Sequence, residues 1–70
     1  MADLNITGGL TEISRRLSEA AAIAKGAVAC AEAGSEREAM RIALDLDELM
    51  SEAITLHGAL RLLARARPEG

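Results

Sequence analysis

The chain has no phenylalanine, tyrosine or tryptophan. That removes the aromatic platforms on which single-stranded nucleic acids stack. It also means that no large ring fills the core, although half of the residues are hydrophobic. A single cysteine, Cys30, excludes an internal disulfide, and with His57 the only histidine there is no Cys/His cluster to hold zinc. The one proline, Pro68, lies beyond every segment with a helical period, where it acts as a stop. Basic residues are in deficit: eight Lys and Arg stand against eleven Asp and Glu, for a net charge of −3. Phosphate binding draws on basic surface, so this balance disfavours nucleic acid and anionic membranes alike. The longest weakly polar run, residues 20–31, is too short to span a bilayer and contains Lys25. The first seven residues lack the basic and apolar regions of a signal peptide. The expectation is a soluble, cytoplasmic protein with no membrane partner.

Fifteen of the 70 residues are alanine. A core must then come from Leu, Ile, Met and Ala, with backbones in close approach. One domain of this length rarely holds together comfortably without a disulfide, a metal or an oligomer. The first two have no residues to build them, so self-association is the device left.

The middle of the chain sets the architecture. Gly34 suits the left-handed position just past a helix end, and Ser35 with Glu38 three residues on has the spacing of a capping box at a helix start. One helix stops and another begins within about two residues, so the chain reads as an antiparallel two-helix hairpin, all-α. Residues 1–9 read as a flexible N-terminal arm, since Asn5, Thr7, Gly8 and Gly9 oppose helix. Residues 10–67 form the hairpin, with helix 1 over about 10–33, a turn at 34–35 and helix 2 over about 36–66; residues 68–70 are a tail. With Leu10 at heptad position a, Leu10, Ile13, Leu17, Ala20, Ala24, Ala27 and Ala31 fill successive a and d positions. Ala39, Ile42, Leu46, Leu49, Ala53, Leu56, Leu60 and Leu63 do the same in helix 2, and Ala43, Met50, His57 and Ala64 widen that face. The intrachain core is expected where Leu10, Ile13, Leu17, Ala20, Ala24 and Ala27 meet Leu46, Leu49, Ala53, Leu56, Leu60 and Leu63.

Between residues 20 and 33 only Lys25 and Glu32 are charged. A helix apolar nearly all round is usually buried nearly all round, and one hairpin partner cannot cover it. Ala22, Gly26, Ala29 and Ala33 form a small-residue stripe, with Ile23 and Cys30 beside it; these six are the expected dimer interface, in a homodimeric four-helix bundle. The plainer reading is that alanine has high helix propensity and tolerates water. Met40, Leu44, Ile54 and Leu62 fall near one line off the main stripe of helix 2. They are either scattered surface residues or a partner-binding face.

No catalytic, cofactor or metal residue is expected. Cys30 and His57 would pair as nucleophile and base, but in this hairpin they sit on the order of 25 Å apart along the axis. Both read as packing residues, His57 at the level of Thr11 and Glu12. Asp45, Asp47, Glu48 and Glu52 are a solvated acidic cluster suited to pairing with Arg15, Arg16 or Arg41. In its heptads and turn the hairpin resembles the Rop family of RNA-regulating proteins, which pair two hairpins into a four-helix bundle. It is similar in length and layout to small hairpin chaperones of bacterial secretion systems. Neither resemblance carries a functional residue. The expected function is a non-catalytic protein-interaction module: an adaptor, chaperone-like subunit or inhibitor acting as a dimer. The alternatives are a Rop-like nucleic-acid regulator, and a bundle holding a small apolar ligand.

Overall fold

A computed structural model of the chain describes residues 5–66. Among them all regular structure is helical, and the chain folds back once: α1 runs Ile6–Glu32, α2 Glu36–Ala43 and α3 Asp45–Ala66. Helix α1 packs along both α2 and α3, so the architecture is the expected hairpin with its second arm in two segments.

The turn follows from Gly34. Its φ of +99° lies in the region that costs an L side chain most. The Gly34 N–H donates to the Ala31 carbonyl at 3.0 Å and the Ser35 N–H to the Cys30 carbonyl at 3.0 Å. That pair of bonds is a Schellman motif, and it satisfies carbonyls that the end of α1 would leave open. Helix α2 starts at Glu36, as read, but the capping box is not formed. The Ser35 side chain makes no capping bond, and Glu38 instead takes hydrogen bonds from Arg41. Glu36 and Glu38 still place negative charge in the first turn, where the helix dipole favours it.

Three expectations are corrected. First, α1 begins at Ile6 rather than near residue 10. Asn5, with extended dihedrals, accepts a bond from the Gly8 N–H on its side-chain oxygen at 2.6 Å, which is an N-cap. Gly8 and Gly9 are therefore helical, not a joint. Gly9 is buried, and a Cβ there would lie 2.5 Å and 2.8 Å from the two Leu60 methyls. Residues 1–4 of the expected arm lie outside the described residues, as does the tail. Second, the single helix over 36–66 is interrupted at Leu44. That residue keeps helical dihedrals, φ −62° and ψ −25°, and the Asp47 N–H donates to its carbonyl at 3.1 Å across three residues. The chain tightens there by one short-pitched turn. No glycine or proline marks the place.

Third, the intrachain core is smaller than expected. Among the described residues the buried side chains are Ala20, Ala39, Ala53 and Leu60, and no large side chain is fully buried. Ile13, Ala24, Ala27, Leu46, Leu49, Leu56 and Leu63 are half-buried, while Leu10 and Leu17 are exposed. The reason is geometric: each arm of the hairpin has only the other arm beside it, so only the line of residues aimed straight at that arm is covered.

Candidate functional site: the uncovered apolar faces

The two long edges where α1 meets α3 differ in character. One is polar. Arg16 bridges the helices, donating from Nη1 to Glu12 Oε1 at 2.5 Å and from Nε to Glu52 Oε1 at 2.9 Å. Arg15 donates to the same Glu12 oxygen at 2.8 Å. Hydrogen bonds from Arg15 and then Arg16 hold the Glu12 carboxyl below its ordinary pKa of 4.5. Hydrogen bonds to Glu12 and Glu52 raise the Arg16 guanidinium above its already high ordinary value. At α2 the hydrogen bonds from Arg41 likewise lower Glu38.

Two open grooves follow this edge. One, of about 490 Å³, is lined by Glu12, Arg16, Ser51, Glu52, Thr55 and Leu56. The other, of about 350 Å³, is lined by Glu19, Ile23, Asp45, Glu48, Leu49 and Glu52. The acidic cluster thus pairs with Arg16 through Glu52, as expected for these charges, and its remainder faces solvent. Among the described residues no three His, Cys, Asp or Glu side chains gather closely enough to hold a metal ion. His57 is exposed and makes no hydrogen bond with Thr11 or Glu12; the Glu12 carboxylate accepts from the two arginines. Cys30 is half-buried with a free thiol.

The opposite edge is more apolar, with Lys25, Glu32 and Arg61 as its charged residues. At about 100° per residue, Leu10, Leu17 and Val28 fall on one flank of α1, about 120° or more around the helix from Glu12, Glu19 and Ile23. On α3, Met50, His57 and Ala64 fall on the flank away from Glu48, Glu52 and Thr55. The two apolar flanks therefore share one side of the hairpin. Leu10, Leu17, Val28 and Met50 are each 49–54% exposed, as side chains on a flank should be.

The residues singled out in the sequence fall elsewhere. Ala22, Gly26, Ala29 and Ala33 are exposed and point outward from α1. Nothing lies within 4 Å of a Cβ built on Gly26. Ile23 and Cys30 are half-buried, and Ile23 lines the acidic groove. Met40, Leu44, Ile54 and Leu62 are 60–69% exposed, more than the flank residues, so they form the outer surface of the second arm. The Leu10–Met50 face was not singled out, because heptad positions assign Leu10 and Leu17 to a core without saying whose. The signal was the width of the helix 2 stripe: Met50, His57 and Ala64 are more apolar surface than one facing helix can cover.

No protein-family model matches the chain, and no curated protein or solved structure was found to be similar to it. Among the described residues no helix is long and apolar enough to cross a membrane.

Proposed function

We propose that this chain is a non-catalytic protein-interaction module that acts as a homodimer of helical hairpins, a four-helix bundle. The observation that carries the reading is uncovered apolar surface. Among the described residues eight large hydrophobic side chains are exposed, and none is fully buried. A second copy would cover part of that surface. The outer face of Met40, Leu44, Ile54 and Leu62 would remain for another protein, with the acidic cluster steering a basic one. Met40 adds an adaptable side chain to that face. The free Cys30 thiol suits a reducing compartment such as the cytoplasm.

The nucleic-acid alternative draws less support. Three of the arginines it would gather, Arg15, Arg16 and Arg41, are engaged by Glu12, Glu52 and Glu38. For the small-ligand alternative, the two grooves are open and lined largely by charged and polar side chains, unlike an apolar ligand pocket.

The test is the mass in solution, by size-exclusion chromatography with light scattering at low micromolar concentration. A helical species near twice 7.3 kDa is expected. A well-folded monomer would overturn the dimer. For the outer face, the variant Leu44→Glu with Leu62→Glu should keep the mass of the wild type and lose a captured partner; unaltered capture would exclude that face.

A further inference from the structure

We infer that the surface on which two copies meet is the Leu10–Leu17–Val28 flank of α1 together with Met50 of α3, packed about a two-fold axis that sets α1 antiparallel to the partner's α1. The inference rests on the dimer reading above and specifies its geometry.

Three observations choose this face and this occupant. The first is charge. Along the flank of α1 the side chains are Leu10, Ser14, Leu17, Ala21, Ala24 and Val28, with one basic and one acidic residue, Lys25 and Glu32, toward its end. The other flank carries Glu12, Glu19, Asp45, Glu48 and Glu52, with Arg16 already engaged by Glu12 and Glu52. Two copies meeting there would set carboxylates against carboxylates, which disfavours association. The second is exposure. Leu10, Leu17, Val28 and Met50 are each 49–54% exposed, which puts four large apolar side chains on one side of the hairpin for a second copy to cover.

The third is the order of side chains along the flank. An axis crossing the helices at right angles brings each level to its mirror level. Midway between Leu10 and Val28 is also midway between Leu17 and Ala21. Each large side chain then faces a smaller one: Leu10 the partner's Val28, and Leu17 the partner's Ala21. The contacts Gly9–Leu60 and Arg16–Glu52 fix the register of the two arms, and in that register Met50 stands at the same midpoint. It would meet the partner's Met50 on the axis. Such an isologous surface closes on itself as a dimer and leaves no end free for further growth. The outward stripe of Ala22, Gly26, Ala29 and Ala33 then stays in solvent.

The experiment compares variants of the full chain by light scattering and circular dichroism. Leu17→Glu should halve the mass, whereas Gly26→Leu should leave it at the dimer value. Because Leu17→Glu could also cost helix, a second measurement is independent of it. Met50→Cys in a Cys30→Ser background should give a covalent dimer on mild oxidation with diamide, and Ile54→Cys in the same background should not. A dimer that survives Leu17→Glu but is lost in Gly26→Leu overturns this face while leaving the dimer reading intact. A dimer in which Met50→Cys fails to cross-link overturns the two-fold arrangement. A monomeric wild type overturns both the inference and the reading beneath it.

Discussion

Three glycines that look alike in the sequence do different things. Gly26 has open space around its would-be Cβ, Gly9 has the two Leu60 methyls, and Gly34 has a positive φ. Gly26→Ala should raise stability by about 0.5–1 kcal/mol, the usual gain in an exposed helix interior. Gly9→Ala has the same propensity gain but must push back Leu60, which is buried. Overpacking of this kind costs about 1–3 kcal/mol, so a net loss is expected. Thermal melts followed by circular dichroism would check both, and the two shifts should have opposite signs. Acid sensitivity also belongs to single residues. Glu12 and Glu38 have folded pKa values lowered by their arginines, so each stabilises the fold above the unfolded value of about 4.5. That contribution fades as pH falls through the lower folded values. Helicity should hold to below pH 4.5 and then decline, and Glu12→Gln should remove part of the decline in a titration at low salt.

At the level of the helices, caps decide where the chain turns. Asn5 supplies the side-chain oxygen for the Gly8 N–H, and Asn5→Ala should cost about 1 kcal/mol, with fraying confined to the first turn of α1 by amide exchange. The hairpin turn was legible because Gly34 meets a backbone requirement that few residues satisfy. The start of α1 was not, because Asn5, Thr7, Gly8 and Gly9 all argue locally for a loop. A cap on one side and the Leu60 contact on the other override that preference. The break at Leu44 left no mark, since ordinary helix formers surround it. Ser35 and Glu38 had the right spacing for a reciprocal cap, yet Arg41 lies within reach of the same carboxylate and takes it. Spacing marked the helix start correctly and misjudged its bonds.

For the whole molecule, the heptads fixed which side chains are apolar but not which chain covers them. Leu10 and Leu17 both hold a positions and are still half-exposed. A pattern on one helix is silent about whether its complement lies in the same chain, whereas a folded hairpin shows which part of the stripe its own second arm reaches. The Gly34 turn also orders events in time. Pairs beside the turn close short loops, whereas Arg16 and Glu52 must close one of 36 residues, at greater entropic cost. Contacts should therefore form first beside the turn and spread outward, a zipper with its slider at Gly34. Gly34→Ala, which strains that starting point, should slow folding more than it speeds unfolding.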